Sequence, residues 1–272
     1  MDKTKSKKFV RLLMVLSAAL TAATCFVNSC HSKAEPLLAG NSTQLRSSKV
    51  DYSINTAREK FFVWTPKTYN GSTRFGLIVY ISSVDSVEGL PPGWEDVLAK
   101  RRYIFVAPQG AGNYCRTQER RCGLAVAAAM AMQRKFQIDP RFVFAAGISG
   151  GARTASDLGF YQTDVFKGTI QSCGTDFYRK VAVKDATSSV DTAGKYYGVI
   201  EVCADELNRA RAATKFCLIT GAGDFRRGNI LDIYNNGYAK DGFKARLFDV
   251  ATLGHQDCDA ATLNSAIDFL EH

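Results

Sequence analysis

Histidine is scarce in this sequence, with only three among 272 residues, at positions 31, 255 and 272. The eight cysteines include no Cys-x-x-Cys pair. Zinc and related ions are usually held by cysteine and histidine side chains at such short spacings. The sequence therefore predicts no metal centre and no cofactor, and it leaves few side chains that could act as a base near neutral pH.

The sequence also lacks a basic helix with interleaved aromatic residues, which would be typical of a nucleic-acid surface. The formal net charge is +9, but residues 1–29 contain five basic residues and one acidic residue. Without them the chain has 30 basic and 25 acidic residues, so the remaining surface is only mildly basic. A composition of 46% hydrophobic and 22% charged residues excludes a disordered chain and a polytopic membrane protein. We expect no nucleic-acid partner.

The only long apolar stretch lies at the start, where Leu12–Val27 follows a basic segment. This is the pattern of a secretory signal peptide. Val27-Asn28-Ser29-Cys30 resembles the bacterial lipobox, so we expect a signal peptide over residues 1–29 and lipidation at Cys30. Cys25 is a weaker candidate because Thr24 precedes it, and secretion without lipid is the alternative. Residues 30–50 are predicted to be a flexible tether. The protein is thus expected to be an exported cell-envelope lipoprotein or a secreted protein, contacting a membrane only through its lipid.

Six cysteines lie beyond the predicted tether, and an even number in an exported chain favours disulfides. Cys115 and Cys122 are close together in a polar segment, which predicts a bond between them. The sequence leaves the pairing of the others open, and Cys217 lies in an apolar segment where it could be a buried thiol. These other four are Cys173, Cys203, Cys217 and Cys258.

Short apolar segments alternate with helix-compatible segments through most of the chain, which predicts a single α/β domain over residues 51–272. We expect a mostly parallel central sheet flanked by helices on both faces, with a small or absent lid. Residues 174–201 are polar and irregular and are the only candidate for that lid. The predicted strands are 60–65, 75–81, 103–107, 142–146, 166–172, 215–220 and 244–250. The predicted helices are 94–100, 123–136, 150–158, 204–213, 228–240 and 260–271.

Residues 147–151 fit the pattern G-x-S-x-G, with Ser149 at its centre. An apolar strand precedes the motif and a run of small, helix-compatible residues follows it. That context predicts a sharp strand-to-helix turn which exposes a strained serine hydroxyl, and Ser149 is the candidate nucleophile.

A serine nucleophile needs a base, and the base needs a carboxylate to orient it. His31 lies in the tether and His272 is the last residue, which leaves His255 as the base. Asp224 follows a predicted strand and two glycines, so it is the predicted acid. The order serine, aspartate, histidine is the one expected of an α/β-hydrolase. Asp257 and Asp259 are nearer to the histidine in sequence and are rival candidates, although Asp257 is poorly placed to reach the same ring.

Two backbone amides should stabilise the negatively charged oxygen that forms during acyl transfer. Gly150, directly after the nucleophile, supplies one of them. The second should come from the loop after the strand that ends at Ile81, from Ser82, Ser83 or Val84, and we choose Ser83. Three aromatic side chains are candidates for a substrate-pocket wall, although each could be ordinary core or surface: Trp94, Tyr114 and Phe225.

With these motifs assembled, residues 55–272 resemble the α/β-hydrolase superfamily. Gly147–Arg153, followed by a helix and then by Asp164–Gly168, is similar to the polyhydroxybutyrate-depolymerase and feruloyl-esterase-like group. The resemblance implies a serine esterase that forms an acyl-enzyme on Ser149, with Asp224 and His255 completing the triad. The expected partner is an ester: a small molecule, a polyester or an acyl group on a polysaccharide. A serine peptidase of the same fold and a non-catalytic binding protein are the alternatives.

Overall fold

The computed structural model describes residues 49–183 and 199–272. The predicted signal peptide, the lipidation candidate Cys30 and all of the predicted tether except its last two residues lie outside the described residues. Val50, at the end of that tether, is nevertheless 1% exposed and packs in the core. Within the described ranges no helix has both the length and the apolar character needed to cross a membrane.

Seven strands form one sheet in the order β1-β3-β2-β4-β5-β6-β7. β1 pairs antiparallel with β3, and all other neighbouring strands are parallel. The predicted mostly parallel sheet is confirmed. The strands are β1 (Phe61–Trp64), β2 (Phe75–Ile81), β3 (Tyr103–Pro108), β4 (Ile138–Ile148), β5 (Gly168–Ser172), β6 (Lys215–Gly223) and β7 (Lys244–Gly254).

Strands β2 and β3 consist almost entirely of apolar and aromatic residues, because both faces of the sheet are covered there. Side chains alternate along a strand, so Leu77 and Val79 pack in one core layer while Ile78 and Tyr80 pack in the other. The helices are α1 (Trp94–Arg101), α2 (Gln118–Lys135), α3 (Gly150–Tyr161), α4 (Ala204–Ala213), α5 (Arg227–Ile233) and α6 (Ala260–Glu271). Helices α2 and α3 contribute to the first layer, and α1 and α6 to the second.

Two helices differ most from the sequence prediction, while α1 and α3 begin where predicted and extend one and three residues further. Helix α2 begins at Gln118, five residues earlier than expected, because the Thr117 side chain accepts a hydrogen bond from the backbone N–H of Arg120 and caps the helix. The single helix predicted over residues 228–240 is instead α5 followed by a π-helical segment, Tyr234–Ala239.

The predicted Cys115–Cys122 disulfide is wrong. Cys122 lies inside α2, where its side chain is buried in the core, while Cys115 is half-buried in the loop before the helix. The early start of α2 turns the two side chains to different environments, so sequence proximity does not bring the sulfur atoms together. All six cysteines in the described residues are free thiols, and Cys217 is buried in the core.

Candidate active site

Ser149 lies in the turn between β4 and α3, as the motif predicted. Its backbone angles are φ 54° and ψ −116°, a conformation that costs a non-glycine residue about 1–3 kcal/mol. The Ser149 N–H donates to the Ser172 carbonyl across 2.8 Å, which ties the strained residue to the neighbouring strand. Strain held in this way is a feature of functional sites, and here it lies at the candidate nucleophile.

The two glycines of the motif are required by close packing. A Cβ on Gly147 would lie 2.5 Å from the backbone carbonyl carbon of Gly151. A Cβ on Gly151 would overlap the carbonyl oxygen of Ile81, at the end of β2. The start of α3 therefore contacts two strands through bare backbone, and this packing holds the turn in place.

Strand register brings the predicted acid and base together. β6 and β7 pair in parallel as far as Gly223 and Gly254, after a register shift at Gly221. Asp224 and His255 each follow one of these paired glycines, so they leave the sheet side by side. Nδ1 of His255 lies 2.8 Å from Oδ1 of Asp224, in a hydrogen bond donated by the ring.

The Asp224 carboxylate is buried and fully supplied with donors. Oδ2 accepts from the Thr220 hydroxyl at 2.7 Å, and Oδ1 accepts from the Arg226 backbone N–H at 3.0 Å as well as from His255. Burial alone would raise the pKa of Asp224, but these hydrogen bonds outweigh it and hold the pKa below its ordinary value. The carboxylate is thus kept ionised and aimed at the imidazole.

Residues 173 and 174 connect this pair to the nucleophile. The Cys173 thiol lies 3.3 Å from the Gly254 carbonyl oxygen and 3.4 Å from that of Gln256, on either side of His255. A Cβ on the next residue, Gly174, would overlap the carbonyl oxygen of Ser149. The dipeptide Cys173–Gly174 therefore contacts both the base loop, which we define as residues 254–256 around His255, and the turn that carries Ser149.

Within the described residues no hydrogen bond joins the Ser149 hydroxyl to the His255 ring. Ser149 is 8% exposed, and the His255 side chain is 25% exposed. In hydrolases without substrate this hydrogen bond is often long, and it shortens when substrate binds. The serine role therefore depends on the turn and on the shared Cys173–Gly174 contact rather than on a formed hydrogen bond.

The candidate oxyanion donors lie where two elements meet. Gly150 is the first residue of α3, where backbone N–H groups carry partial positive charge. The Ser82–Ser83 segment passes beside it, because a Cβ on Gly151 would lie 3.1 Å from the Ser82 carbonyl carbon. The choice of the Ser83 amide over its neighbours stays a prediction.

Sequence reasoning missed two residues that shape this region. The Arg121 guanidinium is buried and donates to the carbonyl oxygens of Ala111 (2.7 Å) and Ser82 (3.3 Å), which ties the loops after β3 and β2 together. Burial lowers the pKa of Arg121. The Asn113 backbone N–H donates to the Ser83 carbonyl at 2.9 Å, and its side chain occupies the space that a Cβ on Gly150 would need. No local sequence pattern marks either residue, because each acts on segments that lie far from it along the chain.

The rival acids have other roles. Asp257 accepts a hydrogen bond from the Tyr80 hydroxyl at 2.8 Å, and burial raises the pKa of Asp257 to about 6. Asp259 caps α6 by accepting from the Thr262 backbone N–H at 2.8 Å. Neither hydrogen-bonds the His255 ring, whereas Asp224 does.

Of the three aromatic residues proposed for a pocket wall, only Phe225 is next to the predicted triad. The centre of its ring lies 4.2 Å from that of His255, and the side chain is exposed. Trp94 is fully buried and packs on Tyr80, so it belongs to the core. Tyr114 is 92% exposed.

A buried carboxyl on α3 gives a pH-dependent prediction. Burial, followed by the negative charge of Asp176, raises the pKa of Asp157 well above its ordinary value. The ordinary pKa applies to Asp157 in the unfolded chain and the raised pKa to Asp157 in the folded protein. At a pH between the two, the folded state binds the proton and the unfolded state does not. The free energy of unfolding therefore falls as the pH rises, by about 1.4 kcal/mol per unit of pKa difference. We expect Asp157→Asn to remove this slope, so that its melting temperature gains on the wild type from pH 4 to 8. The exposed Asp96, changed to Asn, is the control; parallel melting profiles for Asp157→Asn and wild type would contradict the prediction.

No protein-family model matches the chain, and neither does any curated protein sequence. Solved structures do match. The chain has the α/β-hydrolase fold. Among the similar structures is S-formylglutathione hydrolase from Staphylococcus aureus, at 14% identity and a TM-score of 0.56, covering 79% of this chain and 93% of that one.

Two further structures with the α/β-hydrolase fold are informative. A mutant feruloyl esterase module from Clostridium thermocellum, complexed with sinapinate, matches at 12% identity and a TM-score of 0.57, covering 79% of this chain and 83% of that one. Dipeptidyl peptidase 4 from Porphyromonas gingivalis matches at 16% identity and a TM-score of 0.53, covering 78% of this chain but 33% of that one. Esterases and peptidases therefore both share the fold, and the likeness alone does not choose between them.

Proposed function

We propose that the protein is an exported serine hydrolase that cleaves carboxylic esters through an acyl-enzyme on Ser149. The observation that carries the proposal is the strained Ser149 turn at the same sheet edge as the Asp224–His255 hydrogen bond, with Cys173–Gly174 contacting both. A loop that only connects two elements would need neither the strain nor a buried carboxylate supplied with three donors.

The chemistry follows from the positions of these groups. His255 Nε2 takes the Ser149 proton as the hydroxyl oxygen attacks the ester carbonyl carbon. Asp224 holds Nδ1–H, so Nε2 is the nitrogen left free to accept, and the carboxylate stabilises the imidazolium that forms. The amides of Gly150 and Ser83 receive the negative charge on the carbonyl oxygen. His255 then returns the proton to the departing alcohol, and water activated by the same base releases the acid.

An aminopeptidase-like serine peptidase of the same fold would be favoured by an acid in the pocket that holds the substrate amine. Two acids near the site in the described residues are already engaged. The Asp176 carboxylate pairs with Arg153 at 2.7 Å, and Asp257 accepts from Tyr80. This favours the esterase. A non-catalytic binding protein is disfavoured because the serine turn is strained and the acid–base pair is formed.

Export and lipidation at Cys30 are part of the proposal and come from the leader sequence alone. Mass spectrometry of the protein purified from membranes of a bacterial expression host tests them. We expect a diacylglycerol-modified N-terminal cysteine at position 30, and an unmodified chain in the medium would contradict the anchor.

A fluorophosphonate probe tests the nucleophile directly. We expect stoichiometric covalent labelling of native protein, with the added mass on the peptide that contains Ser149, because the probe reacts with activated serines and not with ordinary ones. Heat-unfolded protein is the control and should not be labelled. Labelling elsewhere, or none, would contradict the proposed function. Hydrolysis of p-nitrophenyl esters of increasing acyl length then defines the substrate class.

A further inference from the structure

Cys173 occupies a position that the proposed reaction does not use. It directly follows β5, between the strand that carries the serine and the strands that carry the acid and base. Its φ is 55°, in the left-handed region that non-glycine residues seldom adopt. That backbone conformation turns the thiol towards the carbonyl oxygens on both sides of His255. Burial raises the pKa of the Cys173 thiol.

Three donor atoms of different chemistry meet at this point: the Cys173 sulfur, a carboxylate oxygen of Asp224 and a ring nitrogen of His255. They all lie within 4.8 Å of one another. We propose that these three side chains form an inhibitory binding site for a thiophilic divalent cation, Zn²⁺ or Cd²⁺. Such an ion is not needed for the proposed hydrolysis and would stop it.

The geometry is close to what such an ion requires. Zn²⁺ takes sulfur at about 2.3 Å and nitrogen or oxygen at about 2.0–2.2 Å in a tetrahedral arrangement, which leaves one position for water. Donor atoms around such a centre are about 3–4 Å apart, so small side-chain movements suffice. Thiolate, imidazole and carboxylate are a donor set that selects zinc-like ions over Mg²⁺ and Ca²⁺.

The charges of the cluster balance once the ion is bound. Without metal the cluster holds the Cys173 thiol, the His255 ring and the Asp224 carboxylate. Binding of a divalent cation releases the thiol proton to solvent, so thiolate and carboxylate together balance the two positive charges. The bond from thiolate sulfur to the metal replaces the S–H bond, and no oxidant or reductant is involved.

The inhibition has a specific chemical cause. In the pair as it stands, His255 carries its proton on Nδ1 and leaves Nε2 free to accept the serine proton. A metal bound to Nδ1 displaces that proton, and a neutral ring must then carry its proton on Nε2. The base can no longer accept from Ser149. The ring is the member of the cluster that reaches solvent, with 25% of its side chain exposed, so the ion enters on that side.

Cadmium titration tests the site with two readouts. The first is binding, followed by the ultraviolet charge-transfer absorption of a Cd²⁺–thiolate bond in protein kept in a non-chelating phosphine reductant. The second is inhibition of p-nitrophenyl ester hydrolysis, reversed by EDTA. For Cys173→Ser we expect the absorption from this site to be lost and the inhibition constant to rise by about 100-fold or more, since loss of a mere supporting contact already costs 10–100-fold.

Two control variants distinguish this site from cadmium binding at another thiol and from an effect on the serine. Cys115→Ser removes a half-buried thiol elsewhere and should retain both the absorption and the inhibition. Ser149→Ala should retain the absorption although it has no activity. The inhibition readout rests on the proposed function, whereas the absorption readout does not. A protein that binds Cd²⁺ through Cys173 but hydrolyses no ester would therefore contradict the proposed esterase function and leave the metal site supported.

The result that overturns the site is equal Cd²⁺ binding and inhibition in Cys173→Ser and wild type, or their loss in Cys115→Ser. Should Cys173→Ser fail to fold, as judged by circular dichroism, His255→Gln keeps the thiol and removes the nitrogen ligand. We expect its Cd²⁺ affinity, read from the same absorption, to fall by about 10-fold or more. An unchanged Cd²⁺ affinity in His255→Gln would contradict the proposed metal site.

Discussion

Ser149→Ala should lower kcat/KM for p-nitrophenyl ester hydrolysis by about 10⁴-fold or more, the order of loss seen when a triad member is removed. The hydroxyl oxygen is the atom that forms the acyl bond, and alanine leaves no oxygen in its place. Stability should change little, because the Ser149 backbone, through its N–H bond to Ser172, ties the turn to the sheet. The variant should not become more stable through relief of backbone strain either, because alanine has the same Cβ and adopts the same φ of 54°.

Ser72→Ala is the matched control, since Ser72 is exposed in the turn after Asn70, and its activity should equal that of wild type. His255→Ala combined with Ser149→Ala should be hardly worse than Ser149→Ala alone, because members of a triad act as a unit. Turnover in Ser149→Ala within 10-fold of wild type would remove the proposed function, and a fully additive double variant would mean that the serine and histidine act separately.

The sequence alone predicts the sheet and the closeness of Asp224 to His255 for identifiable reasons. Two-sided burial makes β2 and β3 continuous apolar runs, and β2 and α4 have the bounds that the sequence predicts. His255 can be singled out because the other two histidines lie near the chain ends. Asp224 follows a strand and a glycine-rich turn, and its carboxylate lies 2.8 Å from the His255 ring.

The rest of the site depends on contacts that no local pattern encodes. The polar residues 118–121 resemble a loop in sequence, yet they begin α2, and this is why the disulfide prediction failed. Arg121, which in the sequence is part of a basic pair, is buried and fixes two loops. From the sequence Cys173 is only a candidate disulfide partner, because its place beside Asp224 and His255 arises from strand order.

Gly174→Ala should lower kcat/KM by about 100-fold, the order expected for a displacement of about 1 Å at a reacting centre. The added Cβ would overlap the Ser149 carbonyl oxygen, and the two neighbouring atoms are the Ser149 carbonyl carbon at 3.0 Å and its Cα at 3.2 Å. These are backbone atoms of a strained turn, which cannot rotate aside as a side chain does. The turn or the Cys173–Gly174 segment must therefore shift, and either movement changes the distance from the hydroxyl to the base.

Gly89→Ala is the matched control, because a Cβ there meets nothing within 4 Å and its activity and melting temperature should equal those of wild type. Stopped-flow fluorophosphonate labelling, measured beside the melting temperature, separates two causes of lost activity. A displaced nucleophile lowers the labelling rate while the melting temperature falls only modestly. General unfolding lowers the labelling rate and the melting temperature together. A labelling rate in Gly174→Ala equal to that of wild type would mean that the contact between residue 174 and Ser149 does not position the hydroxyl. The coupling between the serine turn and the base loop would then have to run through the sheet itself, along the β4–β5–β6–β7 hydrogen bonds.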